Sequence, residues 1–276
     1  MVAAMTPVHS QSEVGLLLRQ WRERRRATQL ELALDAGISA RHLSFVETGR
    51  SRPGRDMLVR VLEQLKVPFR EQNRLLLAAG HAPAYPERSF DDPDLAPVRD
   101  ALDLVLSGHE PYPAIAVDRA WNMVAANSAM LALTEAVEID PELLEPPVNV
   151  IRVGLHPRGL GPLFVNLGDW HAHWIKQLER QLAATGDEQL ASLIDEVAGY
   201  PIPEPDADAD AVTGFAAGEM LGPVKVRTPD GGELAFFGMF ASFDTPFEVT
   251  TSELAVELLF PADRATAKAL HEGEPA

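Results

Sequence analysis

The chain contains no cysteine, which excludes disulfides, thiolate metal ligands and a cysteine nucleophile. It lacks any run of about eighteen consecutive apolar residues, roughly the least that a membrane-spanning helix needs. Its N-terminus has no signal-peptide core, so the sequence predicts a cytoplasmic protein with no membrane partner. Positive charge is scarce: 24 Lys and Arg stand against 41 Asp and Glu, a net charge of −17 over 276 residues. Evenly spread, that total would argue against a nucleic-acid partner, but it is not evenly spread. Residues 1–80 hold 13 basic and 8 acidic side chains, a balance of +5, whereas residues 81–276 hold 11 and 33, a balance of −22. A basic segment joined to an acidic one predicts two regions with separate tasks, of which only the first can rest on phosphates. Apolar content of 46% and charged content of 24% are those of a globular chain, here long enough for two domains.

Within the basic segment, Thr28 to Pro53 reads TQLELALDAGISARHLSFVETGRSRP. Thr28 can cap a helix, and Glu31 is placed to complete a capping box. Leu30, Ala33 and Leu34 recur at helical spacing and are expected to face inward. Gly37 stands where a helix must end with positive φ, which glycine adopts without steric penalty. Ile38 then plugs the corner, and Ser39 caps a second helix carrying Leu43 and Val46 inward to its end at Gly49. Such a pair can lay its second helix in a DNA major groove while the first crosses the backbone. A preceding helix, Val14 to Arg26, sets Leu17, Leu18 and Trp21 on one face. Arg19, Arg22, Arg24, Arg25 and Arg26 lie around it, either solvated or reaching phosphates. Two more helices are expected over Arg55–Leu65 and Glu71–Ala79.

TQ at the head of one helix, LA inside it, GIS at the turn and LSFVETGRSRP after it resemble the Cro/C1-type (XRE) helix-turn-helix family. The resemblance implies an all-α, five-helix DNA-binding domain over residues 1–80, with a double-stranded operator as partner. Thr28 and Gln29 begin a helix where amides can meet a phosphate. Ser39, Ala40, Arg41 and Ser44 occupy the first turns of the second helix, and the last three resemble the family's base-reading positions. Arg41 has the fork that fits O6 and N7 of guanine, with a phosphate as its other candidate. Phe45 is open to two roles, a thymine methyl or packing against the first helix, and packing is the expected one. Arg50 and Arg52, just past the helix, suit the phosphate backbone.

Residues 81–97, HAPAYPERSFDDPDLAP, are proline-rich and acidic and read as a linker. A second domain is expected over residues 98–276. It opens with a helix, Val98–Ser107, followed by strands Tyr112–Asp118 and Trp121–Asn127 and a helix from Asn127. An irregular stretch leads to helices Leu167–Ala184 and Asp187–Ala198, and an acidic loop over 200–211 should not be forced into structure. Strands Pro223–Thr228, Glu233–Phe243 and Glu253–Phe260 and a short helix close the chain. The last strand alternates, with Leu254, Val256, Leu258 and Phe260 on one face and Glu253 and Glu257 on the other. The middle strand is apolar on both faces, so both must be covered, one by helices and the other by a ligand or second subunit.

That element order is PAS-like, an α/β sensor with a five-stranded antiparallel sheet, which makes the whole chain α+β. YPAIAVDRAWNMVAAN, IRVGLHPRGLGPLFVN and VRTPDGGELAFFGMFASFDTPFEVTTSELAVELLFPAD also resemble the ligand-binding domain of MmyB-like transcription regulators. The resemblance implies a small apolar ligand, fatty-acid-like, and no other cofactor. Candidate lining residues are Trp121, Met123, Phe164, Trp170, Trp174, Phe236, Met239 and Phe240, although a set of this kind also serves as ordinary core. Arg152, His156 and Arg158 could hold a carboxylate head group, because a cation there needs a partner. His171 and His173 point apart on their helix and cannot share a metal. Nucleophile elbow, phosphate-cradling glycine loop and paired catalytic acids are all missing, so no enzyme is expected. The reading is a homodimeric, ligand-responsive transcription regulator; its rival makes the second domain a protein-interaction module without a small ligand.

Overall fold

The computed structural model describes residues 12–135, 137–202, 223–229, 231–243 and 248–272. The expected acidic loop lies, beyond residue 202, outside them. Two compact units are present, one mainly of residues up to Arg88 and the other mainly of residues from Ser89 onward.

The first unit holds α1 (Glu13–Arg24), α2 (Gln29–Asp35), α3 (Ala40–Glu47), α4 (Arg55–Gln64) and α5 (Phe69–Ala78). The starts of α1, α2 and α3 carry side-chain caps: Ser12 accepts from the Gly15 amide, Thr28 and Glu31 form the capping box, and Ser39 accepts from the His42 amide. Gly37 ends α2 at φ +66°. Leu18, Leu43, Val46, Leu58, Leu62, Leu75 and Leu76 are fully buried beside Trp21, each such side chain contributing about 1.5–3 kcal/mol. α1 and α3 come so close that a Cβ on Gly15 would sit 2.5 Å from the Val46 carbonyl oxygen. On α2 the inward residues are Leu32, Ala33 and Ala36, while Leu30 and Leu34 are 61% and 71% exposed. The expected Leu30/Leu34 stripe is therefore corrected. Two apolar stripes fit so short a helix, and contact with α3 and α4 selects the other.

The start of the segment expected as a linker carries structure of its own. Asn73 on α5 accepts from the Ala84 and Tyr85 amides and donates to the Tyr85 carbonyl, and Tyr85 stacks on Phe69 with centroids 3.8 Å apart.

The second unit contains α6 (Ala96–Ser107), β1 (Ala114–Val117), β2 (Met123–Ala126), α7 (Ser128–Glu135), α8 (Val150–Leu155), α9 (Leu167–Thr185) and α10 (Glu188–Ala198). After these come β3 (Val224–Arg227), β4 (Glu233–Ser242), α11 (Val249–Ser252), β5 (Ala255–Pro261) and α12 (Arg264–Glu272). The sheet has five antiparallel strands in the order β2-β1-β5-β4-β3. Buried Asn127 locks its first hairpin: its side chain accepts from the Ala114 amide and donates to the Tyr112 carbonyl. Residues opposite one another in such a ladder share a face. One face carries Ile115, Val117, Ala255, Glu257, Phe236 and Phe240, and its Ile115, Val117 and Ala255 pack with Leu178 of α9 and Leu190, Leu193 and Val197 of α10. The other carries Ala114, Ala116, Val256, Leu258, Phe237 and Met239, and Leu102 and Leu106 of α6 cover only its first part.

Candidate nucleic-acid interface and ligand face

At the start of α2, the expected phosphate cradle is already occupied. The Thr28 amide and hydroxyl both donate to the Glu31 carboxylate, at 2.8 and 2.7 Å, and the amide bond holds Glu31 below the usual carboxylate range. The Gln29 side-chain amide donates to Glu47 at 2.8 Å. Glu47 is 1% exposed and also takes both ends of the Arg22 guanidinium, at 2.7 and 2.9 Å. Arg22, Gln29 and Glu47 thus bolt α1, α2 and α3 together. Sequence reasoning missed this function of Glu47, although its position one turn after Leu43 already turns it inward. Arg25 donates to the carbonyls of Leu65 and Lys66 at the end of α4, and exposed Arg19 pairs with Glu23. Much of the arginine run on α1 is therefore structural.

α3 keeps its polar groups outward. Ser39, Arg41, Arg50 and Arg52 are exposed, and Ala40 and Ser44 are half-buried. Phe45 does not join the helical core, which corrects the packing expected for it. Instead the Arg41 and Arg50 guanidinium carbons lie 5.2 and 5.8 Å from its ring centre. An aromatic face attracts a cation by about 0.5–1 kcal/mol at an exposed site, so Phe45 orders two guanidiniums at the outer surface of α3.

In the second unit the structure brings together three of the expected aromatics from three elements. Asp118 accepts from the Ala120 and Asn122 amides, both at 2.8 Å, and the turn so formed holds Trp121 at φ +66°. The Trp121 indole donates to Gln181 at 2.8 Å. Its ring meets Trp174 edge-on at 4.7 Å and Phe240 at 5.6 Å. Phe240 nevertheless remains 48% exposed, so the trio has an open side. Next to it, Phe164, Trp170 and Leu259, all partly buried, pack around buried Phe236, and the Trp170 indole nitrogen is buried with no hydrogen-bond partner among the described residues. Met123 lies on β2 opposite Val117. Met239 does not belong with this group: strand alternation turns it to the other face, opposite Leu258, where it is 55% exposed.

The three expected head-group cations have partners inside the chain. Arg152 grips Glu196 with two bonds of 2.7 Å, and Tyr200 donates to the same carboxylate. Arg152 holds Glu196 below the usual carboxylate range, and burial lifts the Tyr200 phenol above its own. The His156 ring stacks edge-on to Tyr200 at 4.9 Å. Arg158 lies elsewhere, against Asp140 and Glu142. The partner that the sequence demanded for these cations is thus supplied internally, which removes the reason for placing a ligand head group there. His171 faces the Val197 carbonyl, whereas His173 packs between Trp170 and Trp174, where burial pushes its pKa down.

Residues 98–272, more than half of the chain, match the MmyB-like transcription regulator ligand binding domain, and residues 18–72 match a helix-turn-helix family. The chain belongs to the MmyB-like regulators. It is a DNA-binding transcriptional regulator with a ligand-binding-type domain. A relative in Bacillus subtilis (strain 168), described as the uncharacterized HTH-type transcriptional regulator RghRB, is 31% identical over 118 residues, covering 42% of this chain and 76% of the relative. An RNA-binding light-oxygen-voltage receptor of known structure aligns with 95% of this chain and 63% of its own length. Its identity is 12% and its TM-score 0.27, too low to carry an argument. Among the described residues, no helix of this MmyB-like regulator is long and apolar enough to cross a membrane.

Proposed function

We propose that this MmyB-like regulator is a cytoplasmic homodimer that binds an operator through α3 and responds to a small apolar ligand with a fatty-acid-like chain. The observation that carries the DNA half is the Phe45 platform, which presents Arg41 and Arg50 side by side at an exposed surface. Arg41 reads a base edge, and Arg50 and Arg52, with the Ser39–Ser44 turn, position the helix on phosphates. A single helix-turn-helix buries little surface, so tight specific binding calls for two half-sites and two copies. Phe237 and Met239, 48% and 55% exposed on the sheet face away from α9 and α10, supply an apolar surface for the second copy. The Trp121–Trp174–Phe240 cluster, open on one side, receives the ligand.

Selection of bound duplexes from a random pool tests the DNA half. Arg41→Ala is expected to erase preference at one base pair and to weaken binding there by about 1–3 kcal/mol; equal weakening on every sequence would move Arg41 to the backbone. Sedimentation tests the dimer, with Met239→Glu expected to yield monomers that bind the operator weakly. Solvent extraction and mass spectrometry test the ligand. A stoichiometric apolar molecule supports the reading, and clean protein that also takes up no alkyl probe favours the interaction-module alternative.

A further inference from the structure

The chain that leaves α3 carries Arg50 and Arg52 and is held at few points. The Phe45 carbonyl accepts from the Arg50 and Ser51 amides, at 2.7 and 3.1 Å, which folds the start of this exit back on the helix. Further on, the Gly54 carbonyl accepts from the Leu58 amide and α4 begins. Arg52 lies between these two anchors. It is exposed, and its guanidinium has no hydrogen bond or ion pair among the described residues. Pro53 has no amide hydrogen to give, and its ring disfavours helical backbone at Arg52. What fixes this stretch is the buried Pro53, whose carbonyl meets the His81 imidazole at 2.9 Å across a sequence separation of 28. A carbonyl oxygen can only accept, so Nε2 of His81 carries the hydrogen.

His81 can anchor Pro53 because it is itself held on both sides. Gly80 ends α5 at φ +79°. Its amide donates to the Leu77 carbonyl at 2.9 Å and the His81 amide to the Leu76 carbonyl at 2.8 Å. These two bonds form a helix-ending motif that fixes the path of the residue after the glycine. Beyond His81, the Ala84 and Tyr85 amides are tied to Asn73 of α5, and Tyr85 stacks on Phe69. The start of the segment whose composition reads as a linker is thereby strapped to α5, and its first residue reaches the exit of α3. Ordering backbone costs entropy, so an arginine whose backbone is already ordered in the free protein meets a phosphate at a smaller loss.

We infer that His81 is a positioning residue for DNA binding: it holds Pro53 and so presents Arg52 to a phosphate. The inference rests on the proposed phosphate role of Arg52 and adds the group that prepares it. His81 acts through the backbone of the exit and has no part in reading bases, since α3 is capped by Ser39 and packed through Leu43 and Val46. Its loss should therefore weaken binding to every sequence alike.

The test is a double-mutant cycle on the full chain, with affinity measured for a duplex selected from the random pool and for an unrelated duplex. Arg52→Ala should weaken binding to both about tenfold, as loss of a phosphate contact does. His81→Ala should weaken both about fivefold, the cost of ordering the exit only on binding. The double variant should be no weaker than Arg52→Ala alone, because His81 acts through that arginine. His81→Gln keeps a donor nitrogen at similar reach and should bind within about twofold of wild type. A purely structural role would lower the unfolding temperature of His81→Ala and leave the two losses to multiply in the double variant. Multiplying losses, wild-type affinity in His81→Ala, or a His81→Gln as weak as His81→Ala overturns the inference and leaves the phosphate role of Arg52 standing. Wild-type affinity in Arg52→Ala overturns that role and the inference with it.

Discussion

Each unit of the chain contains an arginine that clasps a glutamate with two hydrogen bonds, and the two clasps differ only in what surrounds them. Arg22 and Glu47 are 12% and 2% exposed at their side chains, with Gln29 as a third member. Arg152 and Glu196 are 38% and 36% exposed, with Tyr200 beside them. Bond lengths are nearly equal, so burial sets the consequence of breaking each pair. The helical unit uses its inward polar groups to fix three helices in one arrangement, as a reader of a rigid duplex requires. The sheet unit puts its pair at the margin, and its buried Trp170 indole N–H has no hydrogen-bond partner among the described residues.

Removing one partner from each clasp sharpens this comparison most. Glu47→Ala strands a buried guanidinium and should cost about 3–5 kcal/mol in denaturant unfolding; a loss no greater than that of the sensor pair would erase the distinction between the units. Gly15→Ala tests the close approach of α1 and α3 and should cost about 1–3 kcal/mol, because the clash is with backbone. Phe45→Leu keeps bulk and removes the aromatic face; operator affinity should fall by about 0.5–1 kcal/mol for each guanidinium released, with stability unchanged. Glu196→Ala, at a half-exposed pair, should cost at most about 1 kcal/mol.

The two notable acids of the sheet unit should show opposite pH dependences. Glu196 is held below the ordinary carboxylate range, so its contribution is present above that range and is lost as pH falls through the lowered value. Glu257 is pushed up to about 7, so the folded state binds the extra proton and stability declines as pH rises from the ordinary range towards about 7. Thermal unfolding of Glu257→Gln should therefore lose the decline near neutrality, while Glu196→Gln should flatten only the acidic limb. A Glu257→Gln curve parallel to wild type would return Glu257 to the ordinary carboxylate range.

Much of the DNA-binding unit was legible because its signals are local. Capping residues, a turn glycine and apolar residues at helical spacing act within a few residues of where they stand, and they placed its helices and the outward turns of α3. The error at Leu30 and Leu34 arose because a short helix offers two apolar stripes, and only its neighbours select one. By position Thr28 and Gln29 suit phosphates, and Arg22 suits either solvent or phosphates. Glu31 and Glu47, which engage them, are recognisable as partners only once three helices stand side by side. In the second unit the strands themselves followed from turn residues and alternation, whereas their order in the sheet and membership of the site did not. Met239 and Phe240 are adjacent in sequence and face opposite ways, and Arg152 met its glutamate from a helix 44 residues further on.

By itself the sequence determined the division of charge, the helix starts and stops, the strand phases and the family to which both halves conform. These depend on backbone preference and on periodicity, which act over one or two turns of chain. Only the tertiary structure decided which polar groups satisfy one another and which are left over, since a counter-charge is found across space and its worth depends on how much water remains. Glu47 is the clearest instance: its place one turn after Leu43 set the direction of its side chain, and only the neighbouring helices brought Arg22 and Gln29 to its carboxylate.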